Sequence, residues 1–394
     1  MLRLTAAPIS AFFLLVSSVV GAHAQSFDTR ATAAFVMDQT TGTVLLAKNA
    51  DQPLPPASMS KLMTTYMAFE AIADGRLNID ERLPVSQHCM DYTGSTMFLD
   101  TTDRVRVEDL LRGVIVLSGN DASCVLAEAL SPVGTEAGFA TMMTNRAREM
   151  GMMNSTFANS NGWPAVGHRM SMRDLGILSN RLITDYPTFY PLFAEEVFDY
   201  DGEHPANTRN RNPLLGLGIG ADGLKTGHTQ EAGYGLAGSA KQGDRRIIFI
   251  LTGLDSPQAR AEESERIVNW AFRQFAQRNI ATGGSVIETA DVWMGEHETV
   301  GLALMEDLSL LVPNTGNDEI NAEISYNGPI EAPINAGDQI AELIIRLENL
   351  PETRVPLMAA TDVARGGFQS NLRVAANVLI SRIGEDNSNI ETTE

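Results

Sequence analysis

The 394-residue chain carries 49 acidic side chains against 29 basic ones, a formal net charge of −20. That balance excludes the basic field that nucleic acid requires, so no nucleic-acid partner is expected. With 44% hydrophobic and 20% charged residues it can build a sizeable core, enough for roughly two or three domains.

Residues Met1 to Ala24 read as a secretory signal. Arg3 supplies the positive start, Ile9 to Val20 a short apolar core, and Ala22-His23-Ala24 the small-residue cleavage pattern. The apolar stretch is too short for a comfortable membrane span. Cys89 and Cys124 are the two cysteines. An oxidising compartment would let them pair, but spacing leaves this open. Because Cys124 lies on an apolar helical pattern, a buried free thiol is the expectation. The histidines are scattered and no Cys/His ligand spacing occurs, so neither a metal nor a cofactor is expected.

Thr32 to Lys48 predicts a hairpin around the turn-rich Asp38-Gln39-Thr40-Thr41-Gly42. Pro55-Pro56-Ala57-Ser58-Met59-Ser60-Lys61 then opens a buried helix whose apolar run is Met59, Leu62, Met63, Tyr66, Met67 and Phe69. Ser58 and Lys61, three apart, share a helical face. A hydroxyl with an amine beside it, at a helix N-terminus, suits a nucleophile with its base. Taken alone, the pair reads first as an ordinary N-cap and a surface lysine.

Glu81 to Val107 is mixed and turn-rich. Val107 to Leu130 is helical in pattern but broken at Ser118-Gly119-Asn120, a loop that can present polar side chains. Ala137 to Met152 and Met172 to Thr184 predict further helices, with Asn159 to His168 a loop between them. Gly220 to Thr229, Gly233 to Ala240 and Arg246 to Leu254 follow as strand candidates. Glu262 to Gln277 is a helix with Ile267, Trp270, Ala271 and Phe275 on one face. From about Asn279 the texture changes to short β-rich segments between Gly, Pro and Asn turns.

Ser58-Met59-Ser60-Lys61, Ser118-Gly119-Asn120 and Lys225-Thr226-Gly227 stand in that order behind an export signal. Each is weak, but the ordered trio matches the three-motif signature of penicillin-interacting serine enzymes, with Gly119 in place of the middle Asp. The chain resembles the low-molecular-mass penicillin-binding proteins that act as D-alanyl-D-alanine carboxypeptidases. The stretches PASMSKLMT, STMFL, LSGNDAS, NRNPLL, DGLKTGHT and AGYGLAGSA carry the likeness. It runs from about Thr32 to Trp270 and continues more loosely beyond.

The resemblance implies an α+β fold: a transpeptidase-like domain with an antiparallel sheet and a helical subdomain, then a small all-β domain and a C-terminal amphipathic helix. The expected division is 1–24 signal, 25–278 catalytic, 279–360 β-rich, 361–394 helix and acidic tail. It also implies Ser58 as nucleophile, Lys61 as a base held neutral by burial and by Lys225, and Ser118 and Asn120 as proton relay and substrate or lysine ligand. Lys225, Thr226, Gly227 and the His228 N–H are the implied substrate-binding edge, Gly227 allowing a close approach by substrate. Arg211 and Arg260 resemble positions at the carboxylate-binding end. Departures are Asn161-Gly162-Trp163, where Thr-Gly-Leu is more usual, and Arg169-Met170, where Tyr-Ser is.

The implied partners are the peptidoglycan pentapeptide as substrate and β-lactams as inhibitors. The implied place is the periplasm or the outer face of the cytoplasmic membrane. There the 368–383 helix, with Phe368, Leu372, Leu379 and Ile383 on one face and Arg373 and Arg382 beside it, would touch the membrane surface. Three other readings compete. A D,D-endopeptidase would share every motif. A class A β-lactamase would need a water-activating Glu, for which Glu195 and Glu196 lie in the right interval. A silent penicillin-recognising protein would not need Ser58, Lys61 and Lys225 intact.

Overall fold

The computed structural model describes residues 27–314, 320–347 and 350–367. The expected signal and the expected 368–383 helix with its acidic tail lie outside these residues.

β1 (Ala33–Asp38) and β2 (Val44–Lys48) form the expected hairpin, with Val36 opposite Leu46. β1 is buried on both faces. Ala33 and Phe35 enter one core while Ala34 and Val36 enter another, the period-2 alternation of a strand covered on both sides. A 3₁₀ turn at Ala57–Ser60 leads into α1 (Lys61–Ala73). Residues Lys61 to Phe69 of α1 are buried without a break, as suits the central helix of a layer.

A short strand pair, β3 (Arg82–Pro84) and β4 (Arg104–Arg106), carries α2 (Gln87–Met90) in its connection. The expected 107–130 helix is three pieces. α3 (Val107–Arg112) passes into a π turn at Gly113–Leu117, Ser118 takes a left-handed φ of 64°, and α4 (Asn120–Leu130) follows. Cys89 of α2 is disulfide-bonded to Cys124 of α4, with Cα atoms 5.3 Å apart. This corrects the expectation of a free thiol at Cys124. Both cysteines are buried, but pairing depends on α2 docking against α4 across 35 residues of sequence. No local pattern reports such a contact.

α5 (Glu136–Glu149) and α6 (Met172–Asp185) start at Thr135 and Ser171, whose hydroxyls accept the N–H groups of Gly138 and Asp174. β5 (Ala221–Thr229), β6 (Gly233–Gln242) and β7 (Arg245–Leu254) make an antiparallel meander, and β7 pairs with β1. The sheet order is β2-β1-β7-β6-β5, so β5 is an edge strand. α7 (Pro257–Gln274) begins earlier than predicted, because Ser256 caps it and Pro257 suits the first turn. It covers one face of the sheet through Ile267, Val268 and Ala271. α1 and α6 cover the other. A Cβ at Gly176 of α6 would lie 2.6 Å from the Phe35 ring, so the glycine lets that helix settle onto the sheet.

The expected all-β domain follows. β8 (Phe275–Ala281) pairs with β11 (Leu308–Pro313). A six-stranded sheet comprises β9 (Val286–Trp293), β10 (Thr299–Ala303), β12 (Asn321–Ser325), β13 (Ile330–Glu331), β14 (Gln339–Arg346) and β15 (Thr353–Ala359). Leu302, Leu343 and Leu357 centre a core of its own.

Candidate active site

Ser58 lies in the 3₁₀ turn, one step before α1, rather than in the helix itself. A 3₁₀ turn has three residues per turn, so positions i and i+3 line up even better than in an α-helix. Lys61 Nζ accordingly lies 3.0 Å from Ser58 Oγ. The turn is tightly held. Ala57 takes a positive φ of 49°, and a Cβ at Gly162 would lie 1.9 Å from the Ala57 carbonyl oxygen. Only glycine fits there, since Gly162 also has a φ of 81°.

The Lys61 side chain is fully buried. Besides Ser58 Oγ, its Nζ reaches Asn120 Oδ1 at 2.7 Å and the Asn161 carbonyl at 2.7 Å. A neutral amine can donate to those two oxygens and accept the Ser58 proton on its lone pair. Burial, then the nearby Arg211 charge, pull the Lys61 pKa down to about 7. Arg211 is a cation that the sequence reading did not connect with Lys61; the repulsion between Lys61 and Lys225 that it did expect acts on Lys225.

Ser118 and Asn120 flank the break between the π turn and α4. Ser118 is buried with left-handed backbone, a conformation that costs a non-glycine residue about 1–3 kcal/mol and must be held by its surroundings. Arg211 supplies part of that hold. Its guanidinium donates to the Leu117 carbonyl at 2.9 Å and to Ser95 Oγ at 2.6 Å. Asn120 is fixed at three points: Nδ2 donates to the Thr93 carbonyl, its backbone N–H to the Ser95 carbonyl, and Oδ1 accepts from Lys61.

β5 brings Lys225, Thr226, Gly227 and His228 to the same place from the far end of the chain. Gly227 pairs with Gly235 of β6. A Cβ at Gly227 would crowd the Pro56 carbonyl and the Ala57 and Met59 side chains at 3.0–3.2 Å. The chain's own Ser58 turn therefore makes a close approach at Gly227, in addition to the one the sequence reading expected from substrate. Lys225 is buried, with Nζ donating to the Thr226 carbonyl at 3.3 Å. Burial and the charges of Lys61, Arg211 and Arg260 hold its pKa well below the ordinary lysine value. His228 is exposed and stacks on Tyr234 at 3.9 Å between ring centroids.

Ser58 sits where two arms of a cleft meet. One, of ≈ 310 Å³, is lined by Ser118, Thr226, Gly227, Tyr234, Arg211 and Arg260. Arg260 lies over the Tyr234 ring, donates to the Arg211 carbonyl at 3.3 Å, and has a buried Nε without a hydrogen-bond partner. This arm can take an anion. The other, of ≈ 620 Å³, is lined by Asn120, Asn161, Trp163, His228 and Glu231. Glu195 pairs with Arg112 at 3.0 Å, and neither it nor Glu196 lines either arm, which removes the geometric basis for a β-lactamase reading.

Sequence reasoning missed Glu136 and the Asn161 carbonyl. The Glu136 carboxylate is buried and accepts from Ser160 N, Ser160 Oγ, Tyr92 Oη and His88 Nε2. It thereby holds the 160–161 backbone whose carbonyl meets Lys61. An acidic residue in the first turn of a helix reads locally as dipole complementation; nothing in its neighbourhood points to Lys61.

A family model described as D-alanyl-D-alanine carboxypeptidase matches residues 19–256, and one for the C-terminal domain of penicillin-binding protein 5 matches 275–365. The D-alanyl-D-alanine carboxypeptidase DacD of Escherichia coli (strain K12) is 34% identical, over 86% of this chain and 88% of its own. The crystal structure of penicillin binding protein 5 from Haemophilus influenzae superposes with a TM-score of 0.75 at 30% identity, covering 86% of this chain and 99% of that one. Penicillin-Binding Protein D2 from Listeria monocytogenes, solved in an ampicillin-bound form, superposes with a TM-score of 0.56 at 32% identity, covering 62% of this chain and 98% of that one. With the family match spanning more than half of its length, the chain belongs to the D-alanyl-D-alanine carboxypeptidase family of serine peptidases, the low-molecular-mass penicillin-binding proteins.

Proposed function

We propose that this D-alanyl-D-alanine carboxypeptidase removes the terminal D-Ala of a peptidoglycan stem peptide through an acyl-enzyme on Ser58. The observation that carries the mechanism is the Lys61 Nζ to Ser58 Oγ contact at 3.0 Å, made by a lysine that is fully buried. Neutral Lys61 takes the Ser58 proton as Oγ bonds to the carbonyl carbon of the penultimate D-Ala. The backbone N–H groups of Ser58 and His228 receive the oxyanion. The proton passes from Lys61 by way of Ser118 to the leaving nitrogen, the C–N bond breaks, and D-Ala departs. Water, deprotonated by Lys61, then releases the shortened peptide and restores Ser58.

Arg211 and Arg260 line the leaving-group arm of an otherwise acidic molecule, and the buried Lys225 lies within their field. That focuses a carboxylate there. A bound carboxylate gives Lys225 the counter-ion it lacks, so Lys225 binds its proton in the complex. Thr226 donates beside it. A β-lactam presents a strained amide to the same Ser58 and stays attached as a penicilloyl ester.

This reading places the enzyme outside the cytoplasmic membrane, supported by the signal-like 1–24 segment and by the Cys89–Cys124 disulfide. Among the described residues no helix is long and apolar enough to cross a membrane. Peripheral contact is assigned to 368–383, on the strength of its apolar face and flanking arginines. Vesicle co-sedimentation at low salt, against a chain ending at Arg365, tests that; equal sedimentation of the two would end it.

The activity is tested by D-Ala release from a linear D-Ala-D-Ala peptide compared with cleavage of a cross-linked muropeptide dimer. The expected result is the higher kcat/KM on the linear peptide. Higher kcat/KM on the dimer would make the enzyme an endopeptidase instead.

A further inference from the structure

The two arms of the cleft differ in charge. The leaving-group arm is lined by Arg211 and Arg260, whereas among the described residues the acyl arm is lined by one charged side chain, Glu231. Glu231 lies in the turn after β5, three residues beyond His228. Its Oε1 accepts from Arg169 Nη2 at 2.9 Å, and both side chains are partly exposed, 35% for Arg169 and 55% for Glu231. A pair this open contributes about 0–1 kcal/mol, so it holds the carboxylate in place without satisfying it.

Across from it stands Trp163, 42% exposed. The indole is not loose. Its backbone N–H donates to Asn161 Oδ1, its carbonyl accepts from Asn159 Nδ2, and the ring meets Tyr92 edge-on at 6.2 Å. Trp163 and Arg169 both lie on the segment facing Glu231.

We propose, resting on the carboxypeptidase reading, that the acyl arm selects a stem peptide whose third residue before the end carries a free side-chain ammonium, with Glu231 as the specificity-determining residue. A substrate extended along the open edge of β5 advances about 3.3 Å per residue from the oxyanion position at His228. The residue preceding the penultimate D-Ala then lies within side-chain reach of the 229–231 turn. Its methylenes run along the Trp163 ring, as long cationic side chains do on apolar surface. Its ammonium meets Glu231, sharing the carboxylate with Arg169.

The test compares kcat/KM for two acetylated tripeptides, Lys-D-Ala-D-Ala with a free ε-amine and the same peptide with the ε-amine acetylated. The wild type is expected to prefer the free amine by about three- to fivefold at low ionic strength, with the preference shrinking as salt screens it. In Glu231→Gln the ratio should fall to about one. Arg169→Gln removes the bridge but keeps the carboxylate, and there the preference should persist or grow. Equal kcat/KM for the two peptides in the wild type overturns the proposal, as does loss of the preference in both variants, which would assign it to the bridge rather than to Glu231. Turnover of neither peptide would instead count against the carboxypeptidase reading itself.

Discussion

Lys61 Nζ lies 3.0 Å from Ser58 Oγ, and among the described residues no carboxylate is hydrogen-bonded to it. The amine is shared among a hydroxyl, an amide oxygen and a backbone carbonyl, all neutral. That environment favours the uncharged lysine that a base requires. Penicillin should therefore acylate Ser58. Intact-mass measurement is expected to show one penicilloyl adduct on the wild type and none on Ser58→Ala. Equal adduct on the variant would move the nucleophile elsewhere.

Lys61 has its pKa pulled down to about 7. Below that pH it is an ammonium and cannot take the Ser58 proton; above it the amine is free. Acylation rates should rise as pH increases through about 7 and level off beyond. Lys61→Arg keeps the charge but does not deprotonate, so its acylation should drop by at least about a hundredfold, the usual scale for a lost general base. Circular dichroism checks that the variant is folded. A pH-independent acylation rate between 5 and 9, values bracketing that midpoint at about two units either side, would remove Lys61 from the base role.

The fold and the two nearest catalytic candidates were legible because their signals are local. Helical spacing puts Ser58 and Lys61 on one face, and the buried alternation of β1 and β7 declares a covered sheet. Asn120 and Lys225 were legible only as motifs, since their meeting with Lys61 spans 59 residues for Asn120 and requires β5 to close the sheet edge. Glu136, the Asn161 carbonyl and the Cys89–Cys124 pair were not legible. Each acts through a contact between distant segments in which neither partner carries a distinctive local pattern. The approach of the Ser58 turn to Gly227 was hidden for the same reason. A glycine declares a close approach but not what approaches.

Lys225 is expected to take up a proton when the substrate carboxylate binds, because burial and three neighbouring cations depress its pKa in the free enzyme. Affinity for the acid substrate should accordingly weaken as pH rises. A substrate with an amidated C-terminus lacks this dependence and should lose most activity. Lys225→Ala should erase the discrimination between acid and amide. A variant that still prefers the acid would place the carboxylate elsewhere.

The Cys89–Cys124 bridge closes a 35-residue loop that contains Thr93 and Ser95, the backbone partners of Asn120. Chain-entropy arguments put the stabilisation by such a bridge at about 3–4 kcal/mol. The Cys89→Ser, Cys124→Ser double variant should melt earlier by several degrees and acylate more slowly, since Asn120 loses a fixed support. Unchanged melting would show that α2 docks on α4 without the bridge.

Glu136 is the residue whose removal should be felt furthest from its own position. Its carboxylate is buried, and three of its donors, Ser160 N, Ser160 Oγ and Tyr92 Oη, lie within 2.5–3.0 Å. Those contacts set the 160–161 backbone, and the Asn161 carbonyl accepts from Lys61. Glu136 also acts through its charge, which favours the Lys61 ammonium and so raises the Lys61 pKa. Glu136→Gln keeps the size and a hydrogen-bonding group but deletes that charge. The Lys61 pKa should then fall, and the acylation midpoint should move to lower pH. Glu136→Ala leaves several buried donors unpaired, at about 1–3 kcal/mol each, and should lower the melting temperature as well. The two variants separate the effects: a shifted midpoint with near-normal melting in Glu136→Gln identifies the electrostatic one. A midpoint unchanged in Glu136→Gln, measured by penicillin acylation across the pH range, would restrict Glu136 to holding the loop.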